Sequence, residues 1–124
     1  MEAKDFMKYK NWVVVGDVLN DGKYANKILK KLKENDYNVE GVTYKSEMDG
    51  AYKTLKEVTY TIGVLDLCIN PIKGIDIVKE AHEMGIKNIL IQPGAESDEI
   101  IDFCNQNDII AIKGCALVEL SKME

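Results

Sequence analysis

Five short apolar runs punctuate the chain, and helical patterns fill most of the intervals between them. The runs are WVVVG (12–16), NVEGVT (38–43), VLDLCIN (64–70), KNILIQ (87–92) and DIIAIKG (108–114). The first, fourth and fifth are nearly continuous and rich in β-branched residues. That composition suits strands covered on both faces, where neither side of the pleat meets water, as in a parallel sheet.

The intervals carry the other period. KYANKILKKLKEN sets Tyr24, Ile28, Leu29 and Leu32 on one stripe. GIDIVKEAHEMG sets Ile75, Val78, Ala81 and His82 on another and stops at Gly85. ESDEIIDFCNQN groups Ile100, Ile101 and Cys104, with Ser97 placed to cap and acids at 96, 98 and 99 suited to the positive helix end. MDGAYKTLKEV is less regular and reads as a short strand near Ala51–Tyr52 followed by half a turn. Strand and helix therefore alternate. The expectation is an α/β, doubly wound, mainly parallel sheet of five to six strands with helices on both faces. Right-handed crossovers put the first strand centrally, in the expected order 3-2-1-4-5 with room for a sixth strand at an edge.

Ligands of such sheets bind beyond the carboxyl ends of the strands, beside the point where the order reverses. Here that is the gap between the 12–16 and 64–70 strands. Four segments should rim it: GDVLNDGKY, TYKSEMDG, NPIKG and QPGAES.

At 124 residues and 46% hydrophobic, residues 1–124 are read as a single domain with one core. The net charge of −5 and the lack of a basic stripe argue against nucleic acid. No apolar run approaches the roughly 20 residues of a membrane span, and MEAKDFMKYK is too polar for a signal peptide, so a cytoplasmic protein is expected. All 16 basic residues are lysines. Any phosphate is then held by point charges and backbone N–H groups, not by a guanidinium fork. The three cysteines form no CxxC pair and are read as free thiols; one histidine and no ligand spacing argue against zinc.

The runs YNVEGVTYK, NPIKGIDIVKEAHEMGIKNILIQPGAES and GCALVEL, with WVVVG and its long loop, give a resemblance over roughly residues 10 to 120. The chain resembles the small stand-alone CoA-binding domain proteins, which are similar to the nucleotide-binding half of the succinyl-CoA ligase alpha subunit. GIKNILIQPGAES carries the most specific part. The resemblance implies a Rossmann-like fold and a coenzyme A or acyl-CoA lying across the strand ends. Gly16, Asp17, Val18 and Lys23 would stand at the pyrophosphate, and Thr43, Tyr44 and Lys45 at the adenosine. Asn70, Pro71, Gln92, Pro93 and Gly94 would line the rest of the rim, with Cys115 facing the pantetheine arm. Many relatives have serine where this chain has Val18 and Ala25, and Asn-Pro where it has Thr43-Tyr44. Two hydroxyl donors to phosphate are therefore missing.

The residues themselves leave alternatives open. Asp17 and Asp21 oppose a free phosphate at the first loop; Lys23 and Lys27 offset them or simply share a solvated surface. Pro71 and Pro93 either shape a rim or punctuate loops, and Gln92 either serves the mouth or satisfies a strand end. Cys115 is either a ligand-facing thiol or a small buried hydrophobe, while Cys68 and Cys104 read as core. His82 reads as a structural helix residue. The ligase's phosphorylated histidine belongs to a separate domain, so His82 inherits nothing from it. No Ser–His–acid or paired-carboxylate arrangement assembles. The reading is thus binding of a small nucleotide ligand, more in a regulatory or carrier role than in catalysis. The alternatives are an NAD(P)-binding redox protein or sensor, which the absence of GxGxxG disfavours, and an interaction module with a degenerate pocket.

Overall fold

The computed structural model describes residues 2–43 and 52–123. In chain order the elements are α1 (Ala3–Phe6), β1 (Asn11–Gly16), α2 (Tyr24–Glu34), β2 (Asn38–Val42), a 3-10 turn (Leu55–Glu57), β3 (Val64–Cys68), α3 (Pro71–Glu83), β4 (Asn88–Ile91), α4 (Asp98–Gln106), β5 (Ile110–Lys113) and α5 (Ala116–Lys122). The five strands form one parallel sheet in the order β2-β1-β3-β4-β5. This is a doubly wound, Rossmann-like α/β fold, and the order reverses between β1 and β3 as expected.

The expected order 3-2-1-4-5 needs one correction. The third piece, near Ala51–Tyr52, is a single parallel bridge from Tyr52 to Val42 and not a strand; Ala51 lies outside the described residues. Counted without it, the sheet runs 2-1-3-4-5. The half-turn after it is the 3-10 turn at Leu55.

Period-two alternation divides the strands between two cores. Val13, Val15, Leu65, Leu67, Ile89 and Ile91 face α3 and α4, meeting Ile75, Val78, Ile100 and Cys104. Trp12, Val14, Val64 and Leu90 face the other way, toward α1, α2 and α5, and meet Phe6, Ile28, Leu32 and Leu120. β1, β3 and β4 are covered on both sides, as their apolar runs require. β5 is not: Ile110 is exposed and Ala111 and Ile112 are only half-buried, because β5 is the sheet edge.

Two helix starts are fixed by their sequences. Asn70 caps α3 by accepting from the Lys73 backbone N–H at 3.0 Å, with Pro71 at the first helical position, where its missing N–H costs nothing. Ser97 caps α4, accepting from the Ile100 N–H at 3.2 Å. The α2 stripe also needs correction, since Tyr24 is 67% exposed and Ala25, Ile28, Leu29 and Leu32 carry the packing. His82 likewise stands on the solvent side of α3, edge-on to Phe103.

Candidate functional site at the strand carboxyl ends

The first loop is built around its own contacts. Gly16 ends β1 with φ +152°, and a Cβ there would lie 2.2 Å from the Cys68 carbonyl oxygen. The glycine lets the ends of β1 and β3 touch. Val18 turns inward, fully buried, and fills the space a side chain at Gly41 would take. Its N–H donates to the Gly16 carbonyl at 2.9 Å, and its carbonyl accepts from the buried Asn26 amide at 2.7 Å. The Val18 side chain is therefore core packing. Asp17 accepts from the Asn20 amide, and Asp21 pairs with Lys30 at 3.1 Å, not with Lys23 or Lys27. Lys27 instead stands over the Tyr24 ring. Lys23 precedes α2 and caps it with no side-chain bond, so that helix start keeps uncapped N–H groups.

Thr43 is buried just past β2, its N–H donating to the Tyr52 carbonyl at 2.9 Å. Tyr44 and Lys45 lie outside the described residues.

Of the remaining predicted residues, Asn70, Gln92, Pro93, Gly94 and Cys115 come together, while Pro71 starts α3 and lines neither hollow. Cys68, Gln92, Pro93 and Cys115 line a cavity of about 300 Å³, closed by Tyr24 from α2 and Val118 from α5. A second hollow of about 310 Å³ shares Cys68 and Pro93 and adds Ile69, Asn70, Gly94 and Ala95. The two form a trough over the ends of β3 and β4. Gly94 takes φ +91°, and its N–H donates to Glu96 at 2.8 Å, which closes the turn on the trough's far side. A wider hollow of about 500 Å³ lies elsewhere, between α1 and the end of α5, and is lined mostly by surface lysines and methionines. The strand-end trough is the better candidate, since it sits where this sheet order leaves a crevice.

Among the described residues no charged side chain lines the 300 Å³ cavity. Such a lining accepts a neutral, flexible chain and disfavours a phosphate. Cys68 corrects the sequence reading, which put it in the core: it is half-buried and faces the cavity. Burial, then the nearby Asp66 carboxylate, then Cys115 push its thiol up to about 12. Cys104 is in the core as expected, and burial pushes it up to about 11. Cys115 is half-buried and precedes α5.

Beneath the cavity lies a group the sequence reading passed over. Asp66 is fully buried in the middle of β3. The Gln92 amide nitrogen donates to Asp66 Oδ1, while Oδ2 has no hydrogen-bond partner. Burial pushes the carboxyl up to about 7, and the Gln92 bond partly offsets the shift. Gln92 thus both satisfies a buried acid and lines the cavity. The signal was present as an aspartate at the centre of VLDLC, where a doubly covered strand should be apolar. Val118 was missed as a lining residue because it joins the cavity from a helix distant in sequence, and Tyr24, the last residue of the GDVLNDGKY rim segment, read as helix packing instead. No group of three or more acidic, histidine or cysteine side chains suited to a metal occurs among the described residues. No described helix is long and apolar enough to cross a membrane.

A parallel sheet of this order, with a trough over the ends of β3 and β4, defines a Rossmann-like α/β domain with a candidate site at its strand ends. The chain belongs to the CoA binding domain family, whose pattern matches residues 10–121. A conserved hypothetical protein of Pyrococcus furiosus is 33% identical and superposes with a TM-score of 0.80, over 90% of this chain and 99% of that one. A hypothetical protein of Pyrococcus horikoshii OT3 is 24% identical with a TM-score of 0.84, over 94% and 85% of the two chains. A Thermus thermophilus protein is 19% identical with a TM-score of 0.82, over 98% and 96%. The last two show the fold alone. No curated protein matches the chain.

Proposed function

We propose that this protein binds coenzyme A, free or acylated, across the carboxyl ends of β1, β3 and β4. The observation that carries the reading is the pairing of the family match over residues 10–121 with a cavity over the carboxyl ends of β3 and β4, beside the strand-order reversal. The pantetheine arm enters the cavity between Tyr24 and Val118, with its thiol or acyl end near Gln92 and Cys115. Asn70 and Gly94 border the outer hollow. The phosphates stay outside, at the uncapped start of α2 and Lys23, and Lys45 answers the 3′-phosphate. Retention of the ligand is the role proposed; among the described residues no Ser–His–acid triad or carboxylate pair lines the trough. A GxGxxG dinucleotide turn is absent from the first loop, which argues against NAD(P).

Coenzyme A at a hundred times its dissociation constant should stabilise the fold by about 2.7 kcal/mol. A melting series with coenzyme A, dephospho-coenzyme A, NADP and NAD tests this. The largest rise is expected with coenzyme A. No rise at millimolar coenzyme A would overturn the reading and favour an interaction module that has lost its ligand.

A further inference from the structure

Two thiols and one amide line the cavity, the amide is bonded to a buried acid beneath it, and simple retention of a ligand uses none of this. Asp66 and Cys68 are alternate residues of β3, so their side chains rise from the same face of the sheet, the thiol one step nearer the cavity. The Asp66 charge reaches Cys68, and so does that of Cys115. We propose that Cys115 and Cys68 form a thiol–disulfide exchange site for the disulfide of the bound ligand's own thiol, with Asp66 taking and returning the proton of Cys68. This rests on the coenzyme A reading, which brings a thiol to the cavity.

The chemistry runs in two exchanges. The Cys115 thiolate attacks one sulfur of the ligand disulfide. An S–S bond forms between Cys115 and one ligand half. The ligand's own S–S bond breaks, and the other half leaves as a thiol carrying the Cys115 proton. Cys68 then loses its proton to Asp66 and attacks the Cys115 sulfur. The mixed disulfide breaks, a Cys68–Cys115 bond forms, and the second ligand half leaves as a thiolate that takes up the proton. Two cysteine thiols are oxidised by two electrons, and one ligand disulfide is reduced to two thiols. No other oxidant is needed.

The assignment of roles follows from the environments. Cys68, pushed up to about 12, holds its proton in neutral solution, so attack on the incoming disulfide begins at Cys115. The same shift means that Cys68 reacts only if a neighbouring base accepts its proton. Asp66 Oδ2 has no hydrogen-bond partner, and a carboxyl at about 7 exchanges protons near neutrality. Asp66 has few competitors for that role. From β1 it meets Val14, and from β4 Leu90 and Gln92; the α5 residues packed on this face are Ala116 and Leu120. Cys68 is the titratable group coupled to it, and Cys115 is coupled in turn to Cys68. Cys104 lies in the opposite core, facing α3 and α4, and takes no part.

The test treats the reduced protein with coenzyme A disulfide and follows thiol release and peptide masses. Wild type should release two coenzyme A thiols per chain and gain a Cys68–Cys115 cross-link, leaving Cys104 free. Cys68→Ser should release one and keep coenzyme A on Cys115. Release of the second thiol should quicken as pH rises through about 7. Asp66→Asn should slow that step on the order of 100-fold and remove its dependence near neutrality. A wild type that keeps coenzyme A on Cys115 without a cross-link would overturn the resolving role of Cys68. Asp66→Asn with the wild-type rate and pH profile would overturn the role of Asp66. Calorimetry with reduced coenzyme A separates the two readings. Binding without any cysteine modification sinks the exchange site alone. No binding, with glutathione disulfide as fast as coenzyme A disulfide, removes the coenzyme A reading and the ligand named here.

Discussion

Asp66 is the residue whose chemistry most exceeds what its setting in VLDLC suggested. Its pKa rises from 3.8 in the open chain to about 7 in the fold, so folding takes up protons between those limits. The sign follows directly. Below about 4 the carboxyl is neutral in both states and costs nothing. As pH climbs toward 7 the unfolded chain ionises first, and stability falls by roughly 4 kcal/mol at 1.36 kcal/mol per unit. Asp66→Asn keeps the shape and an acceptor for Gln92 while removing the charge. It should therefore raise the urea midpoint at pH 8 by a few kcal/mol's worth and change little at pH 4; a variant less stable at pH 8 would contradict the desolvation account. Gly16 illustrates the opposite case. Its importance was legible as a glycine at a strand end, but the reason was not. The Cys68 carbonyl stands 2.2 Å from where a Cβ would be, a contact no sequence pattern reveals. Gly16→Ala should cost roughly 3 kcal/mol, the upper end for overpacking, read from the same urea titration. Val18 is a related case. Its position in the loop suggested a ligand, and its side chain completes the core beside Gly41.

The strands were legible because burial on two faces leaves no polar positions, and WVVVG and NILI have none on their inner turns. The longer helices followed from their apolar stripes. Ser97 and Asn70 each satisfy an N–H at a helix start; Ser97 was legible as a cap, while Asn70 read only as a rim residue. Asn70→Ala should cost about 1 kcal/mol through the lost cap, seen as a lower melting temperature without a changed fold in circular dichroism. A loss near zero would mean that Pro71 alone holds the α3 start. α1 and α5 were not legible. α1 spans four residues and α5 seven, too short for a 3.6-residue period to stand out, and tertiary packing decides them. β5 was read as doubly covered from its composition. Edge position, which topology sets, leaves Ile110 exposed instead.

The sheet order placed the site before any side chain was known, since strand-helix alternation and right-handed crossovers leave one reversal point, between β1 and β3. What alternation does not give is which rim segments meet. The trough forms from β3, β4 and the starts of α2 and α5, while the first loop closes on itself. If the proposed orientation holds, the neutral cavity takes the arm of coenzyme A and the nucleotide end stays outside. Val118 offers a way to test this without disturbing the fold, because it is 48% exposed and still lines the cavity. Val118→Trp should fill much of the roughly 300 Å³ space and leave the urea midpoint within about 0.5 kcal/mol, as for most surface changes. Coenzyme A should then bind at least about tenfold more weakly, a loss of 1.4 kcal/mol or more. Adenosine 3′,5′-bisphosphate, which has no arm, should bind wild type and variant alike. Calorimetry with both ligands decides the matter: equal losses would place the nucleotide end in the cavity, and no loss for either would place the ligand outside the trough altogether.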